Sequence, residues 1–363
     1  DDRRTILTAI AQQPPPPDVE NRIRFYAREQ QNNLAFSLEG LRNLIDSVAG
    51  LPGRRAVLYI SDGLPMRGSE DIFQAQATAL DDPTYQMRAF DFDFSRQFQK
   101  LTARANTQDV MLFTVDAAGL RGYEVGSAQT GGAQSLVQAN FAHRRNMQTS
   151  LEFMAEETGA LAVIGTNNIG EGMRRFSGVL DNYYSLGYQP AHGRDGRYHE
   201  IEIEIVGRDD LRVRHRQGYR SQTVASELGE QTNAALLHGF EQNPHATYLE
   251  LGDVRPAEDD DKVLRTIRVK VPSSSLTLLP RAQEVRAPLE VYVAAADEEG
   301  TAPVQRLEWM IAFPEEHLQA AEGIDFTYEV TLTLRRGRQK IAVGLHETIT
   351  GVSSFVTRTV DTG

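Results

Sequence analysis

The sequence predicts an α/β domain with a doubly wound, mostly parallel sheet over residues 1–222, followed by an all-β sandwich over 223–363. Three observations carry this. A chain of 363 residues suits two or three domains better than one. Helix-period and strand-like segments alternate through the first part, the pattern of βα units on a parallel sheet. Beyond about residue 222 helical periodicity mostly gives way to short β-type runs. With 40% hydrophobic and 24% charged residues the composition is that of a folded globular chain.

An opening helix is followed by Pro14 to Pro17, a stiff polyproline spacer. Leu34, Leu38, Leu41, Ile45 and Val48 then share one helical face, and Gly50-Leu51-Pro52-Gly53 stops that helix. Three further helical stripes are expected: Phe90, Phe94, Phe98, Leu101 and Ala105; Met147, Leu151 and Met154; and Ile169, Met173, Phe176 and Leu180. Between them lie the nearly continuous apolar runs 56–60, 110–115 and 161–164, which read as strands of a sheet covered on both faces. Tyr184 to Tyr188, Ile201 to Ile205 and Leu211 to Arg214 alternate with period two, predicting an antiparallel edge hairpin around the turn Gly207 to Asp210. In the second part the runs 263–271, 289–294, 306–312, 326–334, 339–345 and 354–360 suggest a sandwich of immunoglobulin or fibronectin type.

A net charge of -12 argues against nucleic-acid binding by the whole surface. The absence of cysteine excludes disulfides, thiolate nucleophiles and cysteine-based metal sites. No stretch approaches the ~20 apolar residues of a membrane helix. The chain contains no GxxxxGK[ST], GxGxxG, GxSxG or HExxH pattern. Its eight histidines form no i, i+4 pair, and His199-Glu200 and His346-Glu347 read as surface or strand-edge residues. The arginines 208, 212, 214, 216 and 220 and the glutamates 200, 202 and 204 are expected to form a cross-strand charge ladder.

Ligands of open α/β sheets sit at the carboxyl ends of the strands. Two such loops carry carboxylates: Ser61-Asp62-Gly63, and Asp116 with Gly119 and Arg121. An Asp there either ligates a hard cation such as Mg²⁺ or orders the turn by accepting backbone N–H bonds. Asp91 to Ser95 also spaces oxygens at alternate positions, but it reads as a solvated helix face. The segment 117–149, rich in Gly, Ser, Ala and Gln, reads as a long loop and a candidate binding surface, especially over 122–140.

Gly53 to Gly63 (GRRAVLYISDG), Leu101 to Asn106 (LTARAN), Phe113 to Leu120 (FTVDAAGL), Leu151 to Gly159 (LEFMAEETG), Tyr183 to Pro190 (YYSLGYQP) and Arg216 to Tyr219 (RQGY) occur in one order. Together they resemble von Willebrand factor type A-like domains, more narrowly the acidobacterial VWFA-related subgroup, over residues 1–222. The resemblance implies a Rossmann-like fold, a protein outside the cytoplasm or on the cell surface, and adhesion to a protein partner. It also implies a Mg²⁺ site, in which Asp62 matches the last Asp; the Asp-x-Ser-x-Ser loop of that site is not in the sequence, and the chain opens at what resembles the helix after the third strand. The expected function is therefore non-enzymatic protein–protein interaction through Ser61, Asp62, Gly63, Asp116, Gly119 and Arg121. A structural subunit of a homo-oligomer and a carboxylate- or metal-dependent hydrolase are the alternatives.

Overall fold

Three parallel strands organise the first part of the computed structural model, in the order β1 (Arg55–Ser61), β2 (Val110–Asp116), β3 (Ala162–Val163). The structure describes all residues except 1, 13–15, 120–131, 189–194, 209, 212, 282 and 363. Contacts divide the chain into two units, 1–45 with 54–221, and 46–53 with 222–363.

In the first unit, α1 (Asp2–Ile10) and α2 (Val19–Val48) precede β1. Of the predicted stripe of α2, Leu34, Leu38, Leu41 and Ile45 are buried and Val48 is half-buried. Then come α3 (Glu70–Leu80), the single turn α4 (Thr84–Met87), a 3₁₀ turn at Arg88–Phe92 and α5 (Ser95–Thr107). The expected unbroken helix from Phe90 to Ala105 does not form. Asp93 is extended and its carboxylate accepts the Ser95 N–H at 2.8 Å, so the chain restarts a helix there instead of continuing one.

The pairing of β1 with β2 runs in register, Val57 opposite Leu112 and Ser61 opposite Asp116. Because successive β2 side chains point to opposite faces, Phe113 and Thr114 mark the two sides of the sheet. On one side the Phe113 ring lies 4.8 Å from that of Phe176 in α7 (Ile169–Asp181). On the other, Thr114 Oγ1 donates to the Leu151 carbonyl of α6 (Gly132–Glu157) at 2.9 Å. Where β3 is too short to reach, the Leu112 N–H is satisfied by the Thr158 hydroxyl at 3.0 Å. Coverage fails at β1, where Leu58 and Ile60 are 43% and 59% exposed. Likewise only Phe176 of the expected α7 stripe is buried; Ile169, Met173 and Leu180 are exposed.

The predicted edge hairpin is also corrected. Among the described residues 201–205 and 211–216 none is in a strand; the antiparallel pair is β4 (Tyr198–Glu200) with β5 (Gly218–Arg220), a sheet of its own. The two-residue β3 presents no ladder long enough to extend. The charge ladder fails with it: Arg208 pairs with Asp210, and Arg216 with Asp109.

The 222–363 part of the second unit opens with a helix the periodicity did not announce, α8 (Val224–His238), capped by the Thr223 side chain. Two antiparallel sheets follow. One contains β6 (Tyr248–Pro256), β7 (Lys262–Pro272) and β12 (Asp325–Arg335). The other is centred on β9 (Glu284–Asp297), flanked by β11 (Gln305–Pro314) and by β13 (Arg338–Glu347), with β14 (Ser353–Asp361) beyond, and short β8 (Leu279–Arg281) and β10 (Gly300–Thr301) on β9. The turn α9 (Leu318–Ala321) leads into β12. Ile267, Val269, Val330 and Leu332 of the first sheet share one buried cluster with Val291, Val293, Ile341 and Val343 of the second. All six predicted runs fall inside strands; β6 and the short β8 and β10 had none.

Candidate functional site

The loop leaving β1 is built on α6. Ser61 Oγ accepts the Gly63 N–H at 3.1 Å, closing a tight turn. Gly63 has φ +98°, and a Cβ there would lie 2.3 Å from the Met147 carbonyl oxygen, so only glycine lets the loop approach the helix. Leu64 N–H donates to Ser150 Oγ at 3.1 Å. Asn146 then clasps Arg67 twice, its Oδ1 accepting the Arg67 N–H at 3.0 Å and its Nδ2 donating to the Arg67 carbonyl at 2.6 Å.

The loop leaving β2 is tied to the first, since Ala117 N–H donates to the Ser61 carbonyl at 3.0 Å. Asp116 is 3% exposed, and both its oxygens are engaged. Oδ1 accepts the Ala118 N–H at 2.9 Å and Oδ2 accepts the Gln148 amide at 2.8 Å. Gly119, at φ +59°, passes close to Asn167, whose Oδ1 would be 2.6 Å from an added Cβ. Arg121 and most of 122–140 lie outside the described residues up to 131; from Gly132 the supposed loop is the helix α6.

These residues do not fit a Mg²⁺ centre. Magnesium demands near-octahedral coordination by accessible oxygen ligands. Asp116 is buried with each oxygen already held by a protein donor, the Ser61 hydroxyl holds the Gly63 turn, and among the described residues of these loops only Asp62 presents an exposed carboxylate. Among the described residues no group of three or more His, Asp or Glu could hold a metal ion.

Beside the β1 loop lies an open cavity of about 760 Å³. Its walls are Met66, Arg67 and Glu70 on one side, and Val137, Phe141 and Arg145 of α6 on the other, with Gln74, Ser95 and Thr149 contributing polar atoms. Arg67 is held by its neighbours, 2.8 Å from Glu70 and 3.7 Å from Asp93, and the Glu70 hydrogen bond raises its pKa. The sequence reading placed the far wall inside the 117–149 binding segment but took that segment for a loop. The signal was there: Val137, Phe141, Arg145 and Thr149 recur every four residues, a helical stripe inside a segment whose Gly, Ser and Gln content suggested a loop.

A second constellation was not foreseen, and it corrects the reading of His346-Glu347 as surface residues. His245, Glu347 and Ser354 come together at 2%, 2% and 0% exposure. His245 donates its N–H to Ser354 Oγ at 3.0 Å, and its ring Nδ1 lies 2.8 Å from the same oxygen. Its Nε2 is 3.8 Å from Glu347, whose carboxylate also accepts the Thr277 N–H and the Thr350 hydroxyl. Serine, histidine and carboxylate are the members of a hydrolytic triad, but a nucleophile must reach substrate. Ser354 is wholly enclosed, and the cluster clamps the segment before β6 to the turn between β13 and β14.

No protein-family model matches the chain, and no curated protein matches it. A crystal structure of wild-type OgpA from Akkermansia muciniphila aligns over 85% of this chain and 93% of its own, at 10% identity and a TM-score of 0.16, too low to carry structural argument. No described helix is long and apolar enough to cross a membrane.

Proposed function

We propose that the chain is a non-enzymatic interaction module that holds a partner protein at the rim where β1 and β2 end, in assemblies outside the cytoplasm. The observation that carries this reading is the 760 Å³ groove beside the β1 loop, bounded by loop and helix and mixing exposed apolar side chains with a few polar groups, the usual make-up of a binding cleft. The sequence resemblance to von Willebrand factor type A-like adhesion domains supports the same class. A heptapeptide library displayed on phage, selected on the immobilised protein, tests it. Enriched sequences are expected, and Phe141→Asp, which puts a charge on an exposed apolar wall residue, should abolish their binding without lowering the unfolding temperature. Selection that yields no enriched sequence, or one indifferent to Phe141→Asp, would refute the reading.

A homo-oligomeric structural role is the second reading, favoured by one feature. β1 ends the described sheet with an unpaired edge and with Leu58 and Ile60 exposed, and such edges accept further strands. Light scattering at micromolar protein decides it: the oligomer reading expects a mass that falls on Leu58→Lys, and a monomer of 40.4 kDa excludes it.

A further inference from the structure

The far wall of the groove is one face of α6, and its chemistry changes along its length. Val137 and Phe141 are exposed apolar side chains; one turn later comes Arg145, and one turn after that Thr149. From Val137 to Thr149 the stripe runs about 18 Å along the helix, which matches about five residues of extended chain. A compact small molecule would leave much of it bare.

Charge then narrows the occupant. Of the charged lining residues, Arg67 and Glu70 neutralise each other at 2.8 Å, and Asp93 adds a second carboxylate to Arg67. The Arg145 side chain has no hydrogen-bond, ion-pair or ring partner among the described residues. The groove therefore offers one uncompensated guanidinium on a chain of net charge -12. A guanidinium is matched by a carboxylate, which it can grip with two parallel hydrogen bonds.

Resting on the proposed interaction function, we infer that the groove takes an extended acidic peptide segment whose Asp or Glu side chain pairs with Arg145 while an apolar side chain two residues away seats against Phe141. The spacing follows from geometry. Phe141 and Arg145 are about 6 Å apart along the helix, and residues i and i+2 of an extended chain lie on one face at about the same separation.

The phage selection above, with peptides displayed without a free C-terminus, reads this out. Enriched sequences should carry Asp or Glu two positions from Leu, Ile, Val, Phe or Met. Arg145→Gln should weaken a selected peptide at least about tenfold, the loss expected for a charged hydrogen bond. Arg145→Glu should bind the same peptide once its acidic residue is changed to Lys, a rescue that a merely structural role of Arg145 would not produce. Enriched peptides that lack the acidic residue, or that bind Arg145→Gln equally well, overturn the acidic-peptide inference while leaving the groove as a binding site. Loss of the groove itself would show instead as indifference to Phe141→Asp.

Discussion

Replacing Glu347 with alanine is expected to lower the stability of the second unit by about 1–3 kcal/mol, the range for removing an enclosed hydrogen-bond acceptor from its donors. The carboxylate is 2% exposed and accepts the half-buried Thr277 N–H and the Thr350 hydroxyl, so its loss removes the acceptor that ties both to the cluster. The same cluster makes the unit sensitive to acid. Burial pushes His245 below its ordinary 6.5, although Glu347 pulls the other way. A histidine with a lowered folded pKa is protonated first in the unfolded chain, so stability falls as pH drops below about 6.5. Glu347 lies below its ordinary 4.5; burial would raise it, but the bonds from Thr350 and Thr277 outweigh that. Its contribution is present above the ordinary carboxylate value and disappears as pH falls through the lowered one. Urea midpoints measured from pH 7.5 to 3 should therefore decline in two stages, the first beginning near 6.5 and reduced in His245→Asn, with His346, which burial also pushes below its ordinary 6.5, carrying the remainder. A midpoint that stays level down to pH 5 would contradict this account.

Gly63→Ala should cost at least about 2 kcal/mol and disturb the groove together with the fold. The new methyl would sit 2.3 Å from the Met147 carbonyl oxygen and 2.7 Å from its carbon, both backbone atoms of a helix that cannot yield locally. The φ of +98° adds strain for any side chain. The loop must then lift, releasing Leu64 from Ser150 and loosening the Asn146 clasp on Arg67. Denaturant titration should show the loss, and a selected peptide should bind more weakly to the variant that remains folded. Wild-type stability in Gly63→Ala would mean that the loop is not seated on α6.

Strand β2 was legible because Val110 to Val115 is apolar at every position but Thr114, the pattern of a strand buried on both faces, and β1 from a similar run although its Leu58 and Ile60 are exposed. The stripe of α2 was legible for the complementary reason, a single apolar face. Helix α8 was not, since much of the face it buries is small or polar: Thr232 and Ala235 lie against strands, and Gly344 comes so near that an added Cβ would be 2.5 Å from Thr232 Oγ1. Close approach leaves no hydrophobic period to read. The alternation of Ile201, Ile203 and Ile205 misled because period two describes a strand only where a neighbour exists to pair with it. At the candidate site the sequence marked Asp62 and Asp116 but not their different fates. Asp116 is committed by Gln148, 32 residues away, and no local pattern announces such a partner.

The connectivity of the parallel sheet has a consequence in time. Its ladders join Val57 to Leu112 and Thr114 to Ala162, so neither closes through a short turn. During synthesis α2 emerges complete, with Leu34, Leu38, Leu41 and Ile45 apolar and unsheltered, well before the third strand has been made. The hairpins β6–β7 and β13–β14 close over short turns and can zip as soon as they appear. The first half of this polypeptide is therefore the half that waits, and its nascent helices are where a folding chaperone has most to protect.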